Sequence, residues 1–224
     1  MTTVAVMQPY FVPYAGYYRL FAAADVFVAF DCVQFPRRGW VHRNRFPVAP
    51  GVTDWLTLPV QKCERSTCIA GLLFAPDADA LLQRSVQRFP VLKNAWNSSS
   101  PLIESLKITG TETVAGYLCA QLESLSSLLG VSRPIVRSSS LEIPADLHGQ
   151  ARVIAIARAL GATRYVNSPG GRSLYQPEAF NEQGIELRFL SPFTASTHSI
   201  LQLLLTNPVD EVAALIRNET ILSE

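Results

Sequence analysis

The chain has 224 residues, of which 48% are hydrophobic and 17% charged, and its formal net charge is +1 at pH 7. This composition supports a sizeable buried core and excludes a chain that remains disordered. The near-zero charge excludes a protein that depends on many nucleic-acid phosphates for affinity, so we expect no extended nucleic-acid surface.

The sequence also lacks the marks of membrane insertion and of metal binding. No uninterrupted apolar run approaches the roughly 20 residues that span a bilayer. The first residues lack the basic and long apolar segments of a secretory signal, so we expect no such signal. We therefore expect no membrane span and a cytoplasmic location. Cys63 and Cys68 are close enough to share a metal, but no second Cys or His pair has zinc spacing, so we interpret them as free thiols and expect no metal.

The first predicted elements form a β-α-β unit. Residues 3–7 alternate and are rich in valine, which indicates a strand, and residues 16–24 have the apolar spacing of a helix. Residues 25–31 are rich in β-branched and aromatic side chains and predict a second strand. Because these elements follow one another within about thirty residues, the two strands should be parallel.

The region from residue 34 to about residue 105 is less regular. We expect a single domain over residues 1–224, in which residues of about 47–105 form an insert or a lid. The predicted elements in this region are strands at 55–60 and 69–75, a helix at 77–89 and a Ser- and Pro-rich loop at 93–101.

From Thr111 onward the sequence alternates between helical and strand patterns. Together with the first β-α-β unit, this alternation predicts an α/β fold with a doubly wound, mostly parallel, Rossmann-like sheet covered on both faces. The predicted elements are a helix at 111–130 with an N-cap threonine, a strand at 133–141, a helix at 147–160, a strand from 164 that runs into a Gly-rich loop, a helix at 177–183, a strand at 185–190, and one or two helices at 198–216.

In an open parallel sheet, the ligand crevice lies outside the carboxyl ends of the strands. This rule selects the four loops at 8–16, 31–40, 167–171 and 191–199 as the places where chemistry is expected.

The first of these loops combines prolines with several tyrosines ahead of a helix. The free N–H groups and the positive dipole end of that helix favour an anion, and Gly16 would let a ligand approach the backbone closely. Gln8, Tyr10, Tyr14 and Tyr17 supply amide and hydroxyl groups for binding. The alternative is that the tyrosines only pack the loop on the sheet and the prolines only stiffen it.

The second loop continues into FPRRGWVHRNRF, the most basic stretch of the chain. Guanidinium groups recognise carboxylates and phosphates through paired hydrogen bonds. Because the stretch is short, we interpret it as a small-anion site and not as a nucleic-acid track. We expect Arg37 and Arg45 to face solvent. For Arg38, His42, Arg43 and Asn44, ligand binding and a solvated position both stay open. Trp40 lies among these residues in the sequence and is a further candidate for ligand binding.

His42 is the best candidate for a general base, because it lies among these polar groups. Asp31, directly after the second strand, is a candidate to orient His42 or to bind a ligand amine or hydroxyl; the alternative is a turn-forming aspartate. His198 stands at the start of the last helical segment and either contacts an anion or lies near an N-cap, whereas His148 is interpreted as a cap or surface residue. Cys32 is a less favoured nucleophile, since buried cysteines are usually inert.

The third loop contains Asn167, Ser168, Gly170 and Gly171. Consecutive glycines after a strand allow a backbone nest for a phosphate, and a plain turn is the alternative. The loop matches neither a Walker sequence nor a GxGxxG fingerprint.

Several segments resemble the WbqC-like protein family, and the similarity covers nearly the whole chain. They are MQPYFVPYAGYYRLF, ADVFVAFDCVQFPRRGWVHRNRF and WLTLPV in the first half, and LGATRYVNSPGGRSLY, GIELRFL and HSILQLLLTNPVDEV in the second. The chain departs from the pattern at Cys32, where the family fixes no residue, which further disfavours a cysteine mechanism. The motif positions that carry over are Gln8, Pro9, Tyr10, Pro13, Tyr14, Gly16, Tyr17, Asp31, Gln34, Gly39, Trp40, Arg43 and Asn44.

The resemblance implies a bacterial transferase of polysaccharide, O-antigen or natural-product biosynthesis, which moves a glycyl, other aminoacyl or acyl group onto an amine. A looser similarity of the first strand, loop and helix to HIGH-type nucleotidyltransferases implies a nucleotide or nucleotide-linked substrate, with no certain cofactor. Tyr14 and Tyr17 stand where that motif has histidines. The expected partners are small-molecule substrates, with an acyl or aminoacyl carrier as an alternative.

Three functions remain open at this point. In a transferase, His42 or Asp31 would remove a proton from the amine, Arg38 and Arg43 would hold a carboxylate or phosphate, and the helix start at Gly16 and the Gly170–Gly171 loop would hold another anion. The alternatives are a ligase or nucleotidyltransferase relative that activates a carboxylate with ATP, and a non-catalytic ligand-binding subunit of a biosynthetic assembly.

Overall fold

A computed structural model describes residues 1–109 and 113–223 of the chain. Its strands are β1 (Thr3–Met7), β2 (Val26–Ala29), β3 (Arg43–Ala49), β4 (Val52–Thr57), β5 (Ile135–Arg137), β6 (Arg164–Asn167), β7 (Glu186–Leu190) and β8 (Leu222–Ser223). Its helices are α1 (Ala15–Ala23), α2 (Ala78–Val86), α3 (Pro90–Ala95), α4 (Pro101–Glu104), α5 (Val114–Leu128), α6 (Gly149–Ala159), α7 (Pro177–Asn181), α8 (Ile200–Thr206) and α9 (Val209–Asn218).

The main sheet has the strand order β5-β2-β1-β6-β7-β8. All neighbouring strands pair in parallel except β8, which runs antiparallel to β7 at the edge. The chain moves outward from β1 through β2 to β5, then returns to β6 on the other side of β1. The predicted mostly parallel, Rossmann-like sheet is therefore confirmed, and its topological switch point lies between β1 and β6.

Helices cover both faces of this sheet. Along β2, Phe27 enters a larger core that contains α1, whereas Val28 enters a smaller core that contains α6. Alternate residues of β1 divide in the same way, with Ala5 in the larger core and Val4 in the smaller one. A parallel strand buried on both faces needs apolar residues at consecutive positions, which explains the valine-rich sequence of β1.

The middle of the chain forms an antiparallel β3-β4 hairpin outside the main sheet, followed by α2 to α4. Phe46 and Leu56 of the hairpin and Leu82 of α2 are buried in the same larger core as α1. The middle region therefore packs directly against the layer of helices on one face of the sheet. Whether it acts as an insert or a lid stays a prediction.

Sequence periodicity gave several incorrect details in this region. The strand predicted at 69–75 is wrong, because Ile69–Gly71 forms a 3-10 turn and only Phe74 makes a bridge, with Val60. Strand β3 was missed, and α3 and α4 extend into the predicted loop at 93–101. Thr111 lies outside the described residues, and the N-cap of α5 is Thr113, whose side chain accepts from the N–H of Gly116.

The last helical segment contains two helices, α8 and α9. They are separated at Asn207–Pro208, because proline lacks an N–H and disfavours helical geometry in the residue before it. The edge strand β8 was not predicted, since two residues carry no periodicity.

The loop after β1 contains a strained residue, Val12, whose φ is +39°. A β-branched residue rarely adopts a positive φ, and such strain persists only where the surroundings over-determine it. The N–H of Val12 donates to Gln121 Oε1 at 2.9 Å, and its carbonyl accepts from Asn44 Nδ2 and Ser199 Oγ, both at 2.7 Å. All four residues are buried. We call this arrangement the Val12 clamp.

Further contacts extend the Val12 clamp to the rest of the loop. Asn44 Nδ2 also donates to the carbonyl of Phe11 at 3.1 Å, and the N–H of Phe11 donates to the carbonyl of Trp40 at 3.0 Å. The N–H of Ile200 donates to the carbonyl of Pro13 at 2.8 Å. The loop is thus fixed by the hairpin, by α5 and by the start of α8.

Replacing Asn44 with alanine removes the side-chain donor to the carbonyl of Phe11 and one of the two donors to the carbonyl of Val12. We expect the free energy of unfolding to fall by about 1–3 kcal/mol, because a buried carbonyl that loses its partner keeps its desolvation cost. Urea unfolding measures this change. Asn94→Ala, at an exposed position of α3, is the matched control and should change stability by less than about 0.5 kcal/mol. Equal stability of the two variants would contradict the proposed contribution of Asn44 to the clamp.

Candidate active site at the switch point

A cavity of about 810 Å³ opens at the switch point, where β1 and β6 end. This volume lies in the range of small-molecule sites. Its wall contains residues from the loops at 8–16, 167–171 and 191–199, together with Trp40, Arg45 and Thr53 of the hairpin region. The convergence of strand-end loops at one edge of the sheet is what the parallel topology leads one to expect.

Aromatic hydroxyls from the β1 loop form one part of the wall. Tyr10, Tyr14 and Tyr17 all line the cavity, together with Gln8. Tyr17 donates its hydroxyl proton to the carbonyl of Gln8 at 2.7 Å, so this hydroxyl is already engaged. Burial raises the pKa of Tyr10 and of Tyr14 above the ordinary value of 10.0, so both keep their protons at neutral pH and remain able to donate hydrogen bonds.

Gly16 stands at the first turn of α1 and also lines the cavity. A Cβ at this position would collide with the Tyr14 ring and with Phe193, whose rings pack edge to face with centroids 5.6 Å apart. The glycine is therefore required by packing within the protein, which differs from the expectation that a ligand approaches it. Helix α1 has no side-chain cap, and the N–H of Tyr17 in its first turn donates to the carbonyl of Tyr14 at 3.0 Å.

The turn after β6 forms a second part of the wall. Pro169–Leu174 is a 3-10 helix, and the N–H of Gly171 donates to the carbonyl of Ser168 at 3.0 Å. Gly171 leaves no room for a Cβ because the Asn167 side chain packs there, whereas Gly170 faces open space. The predicted backbone nest is thus a short helical turn that uses the Gly171 amide internally. Asn167, Ser168 and both glycines do line the cavity.

The hairpin supplies the basic group of the wall. Arg45 lines the cavity and stacks on Trp55, with the guanidinium carbon 4.8 Å from the ring centroid. Arg43 stacks on Trp55 at 4.2 Å, and its guanidinium donates to the carbonyls of Gly39 and Arg38. Sequence analysis left ligand binding and a solvated position open for Arg43 and expected Arg45 to face solvent. Arg45 is exposed, as expected, but it also lines the cavity, whereas Arg43 does not.

The model of the WbqC-like protein family matches residues 8–202 of this chain. The chain belongs to the WbqC-like family. The matched region contains the loop after β1, the hairpin, the turn after β6 and the start of α8, and therefore every described lining residue of the cavity except Val6 and Met7.

One curated relative is the "Uncharacterized protein Rv1507c" of Mycobacterium tuberculosis (strain ATCC 25618 / H37Rv). It is 28% identical over 193 residues, which cover 84% of this chain and 81% of that protein. No solved structure matches the chain.

In this WbqC-like protein, His42 lies away from the switch-point cavity. It lines a separate cavity of about 400 Å³ together with Arg37 and Cys63, and its ring packs against Phe35 with centroids 4.9 Å apart. Its Nδ1 atom is buried without a hydrogen-bond partner in the described part of the chain. Burial, and to a lesser degree the charge of Arg43, lowers the pKa of His42 to about 4.

Asp31 is fully buried and holds two loops together. Its carboxylate accepts from Arg137 Nε at 2.6 Å, from Ser138 Oγ at 3.0 Å, and from both the N–H and the Oγ of Ser139 at 2.8 Å. Four donors fill the four acceptor sites of a carboxylate. Asp31 thus fastens the end of β2 to the turn after β5, and neither contacts His42 nor lines the switch-point cavity.

The remaining predicted residues divide between the cavity and the outer surface. Gln34 donates its side-chain amide to the carbonyl of Arg65 at 2.5 Å, and Arg38 is exposed; neither lines the cavity. His198 does line it, from the segment before α8. Sequence reasoning did not select Thr53, Thr197 or Tyr175, which also line it. Recognising β3 as a strand that pairs with β4 would have predicted that Arg45 lies opposite Trp55.

The described residues contain no group of three or more His, Cys, Asp or Glu side chains that could hold a metal ion. Among the described residues that line the switch-point cavity, none is Asp or Glu. Within the same described ranges, no helix has the length and apolar character needed to cross a bilayer.

The environment of His42 predicts a pH-dependent stability. The folded state binds this proton less tightly than the unfolded chain does, because the pKa of His42 falls from the ordinary 6.5 to about 4. The contribution of neutral His42 to the free energy of unfolding is therefore complete above about pH 6.5 and is lost as the pH falls towards 4. Urea unfolding at several pH values should show a smaller loss over this window in His42→Gln than in the unmodified protein.

The pKa of His42 can also be measured directly. In an NMR titration, the His42 ring should stay neutral until about pH 4. A midpoint near 6.5, or an identical pH dependence of stability in His42→Gln, would contradict the burial of a neutral imidazole at this position.

Proposed function

We propose that this WbqC-like protein transfers an aminoacyl or acyl group onto an amine acceptor in the switch-point cavity and forms an amide. The observation that carries the proposal is the make-up of the cavity wall. It combines one imidazole, His198, with protonated tyrosine hydroxyls and amides, and it contains no carboxylate among the described lining residues.

The absence of a carboxylate from the described wall suits an amine nucleophile. An amine attacks a carbonyl only in its neutral form, and a neighbouring carboxylate would favour the unreactive ammonium. Arg45 has the opposite effect, because a nearby positive charge disfavours the ammonium form. The charge of the cavity wall therefore favours the reactive state of the acceptor.

His198 is the group we assign to proton transfer. During the reaction the amine nitrogen bonds to the acyl carbon, the bond between that carbon and its leaving group breaks, and the nitrogen loses a proton. A neutral imidazole accepts the proton from the amine and can pass it to the leaving group. His42, which the sequence favoured for this role, lies in the other cavity.

The tyrosines are suited to stabilise the oxyanion that forms when the amine attacks. Tyr10 and Tyr14 line the cavity and keep their hydroxyl protons, because burial raises their pKa values. Donors that the fold holds in place stabilise developing negative charge without reorganisation. Val12 lies between these two tyrosines in the sequence, and the Val12 clamp fixes the loop that carries them.

The first test is a thermal-shift screen with ATP, AMP, nucleotide-linked amino sugars, glycine and acyl carriers. A ligand at about 100 times its dissociation constant stabilises the folded state by roughly 2.7 kcal/mol. Donor and acceptor pairs that give shifts are then incubated with the protein, and amide products are detected by mass spectrometry.

The proton-transfer assignment predicts the result for His198→Gln. This variant should retain donor binding and lose turnover by about 100- to 10,000-fold, the usual contribution of a general base. His148→Gln is the matched control, because His148 is an exposed histidine at the start of α6. Full turnover in His198→Gln with loss in His42→Gln would move the reaction to the other cavity.

Other outcomes identify the alternative functions. Magnesium-dependent consumption of ATP would favour carboxylate activation. Tight binding of a ligand without any product would favour a non-catalytic subunit.

A further inference from the structure

The β3-β4 hairpin has two faces of opposite character. Asn44, Phe46 and Leu56 point into the interior and are buried. Arg45 and its cross-strand partner Trp55 belong to the other face, since side chains alternate along a strand. The hairpin thus uses one face for the Val12 clamp and the core, and the other for a row of basic and aromatic groups.

Trp40 packs against this face of the hairpin at the cavity wall. The Trp40 and Trp55 rings lie with their centroids 5.2 Å apart, and Arg45 lies over the Trp55 ring at 4.8 Å. Trp40 is 44% exposed and lines the cavity, as Arg45 does. We call Trp40, Trp55 and Arg45 the cavity rim. An exposed indole at a cavity wall offers a flat apolar surface on which another ring can stack.

Arg45 provides the rim with an available cation. Within the described part of the chain its guanidinium has no hydrogen-bond acceptor, in contrast to that of Arg43, which donates to two carbonyls. Stacking on Trp55 restricts the Arg45 side chain before any ligand binds, so less conformational entropy is lost when its planar fork engages an anion. No carboxylate in the described wall competes for it. The fork geometry matches a phosphate.

We propose that the cavity rim binds the nucleoside diphosphate part of a substrate, with the base stacked on Trp40 and a phosphate held by Arg45. The proposal rests on the function above, because it takes the same cavity as the substrate site. An uncharged sugar would leave Arg45 without an anion, and an anion without a ring would leave Trp40 exposed. Nucleotide-linked sugars and acyl carriers built on adenosine diphosphate share the chemistry that fits both groups.

Binding of UDP and of ADP, measured by isothermal titration calorimetry, tests this proposal and separates the two sources. Arg45→Gln should weaken the nucleotide that binds by roughly 10- to 100-fold, the usual value of a charge-assisted hydrogen bond. Trp40→Leu should weaken it by roughly ten-fold, as expected for lost base stacking. Arg84→Gln, at an exposed position of α2, removes the same charge elsewhere and should have no effect.

The affinity for a fragment of the nucleotide shows which part of the ligand each residue contacts. Arg45→Gln should lower the affinity for pyrophosphate, whereas Trp40→Leu should leave that affinity unchanged. Trp40→Phe keeps an aromatic face and should restore most of the nucleotide affinity, which separates stacking from damage to the fold. The proposal is overturned if neither UDP nor ADP binds at millimolar concentration, if both variants bind as the unmodified protein does, or if glucuronate depends on the rim and nucleotides do not.

The two proposals fail in different ways. Amide transfer that requires His198, without rim-dependent nucleotide binding, would overturn only the nucleotide proposal. Rim-dependent nucleotide binding with no transfer would leave the nucleotide proposal standing and overturn the transferase.

Discussion

The backbone of Val12 is the constraint on which the candidate site depends. A buried β-branched residue with a φ of +39° is held by side chains 32, 109 and 187 residues away in sequence. Those side chains belong to the hairpin, to α5 and to the cap of α8. The loop therefore reaches its final shape only when these three segments are in place, and the cavity is a product of the whole tertiary structure.

This constraint divides the polar residues of the strand-end loops into two groups. The side chains of Asn44, Asp31 and Arg43 make hydrogen bonds to partners within the protein and hold the fold together, although Asn44 also lines the cavity. Tyr10 and Arg45 line the cavity, and no hydrogen bond within the described residues engages the Arg45 guanidinium. Residues of the first group are as polar as those of the second, so only the partners distinguish a structural side chain from one that meets a ligand.

The same division explains what sequence could and could not predict. The β-α-β unit and the Rossmann-like sheet follow from local periodicity, and the meeting of strand-end loops follows from topology. Asp31 looked catalytic because its partner Ser138 lies 107 residues away. The polar, proline-containing sequence of β3 hid a strand, and with it the pairing of Arg45 with Trp55. Long-range partners of this kind carry no local signal.

The most direct measurement is a crystal structure of the protein soaked with the nucleotide or nucleotide-linked amino sugar that gives the largest thermal shift. We expect the ligand between the β1 loop and the hairpin, with a polar contact to His198 or Tyr10 and its phosphate at Arg45. A ligand bound in the cavity beside His42, with the switch-point cavity unoccupied, would contradict the central claim that this WbqC-like protein acts at its topological switch point.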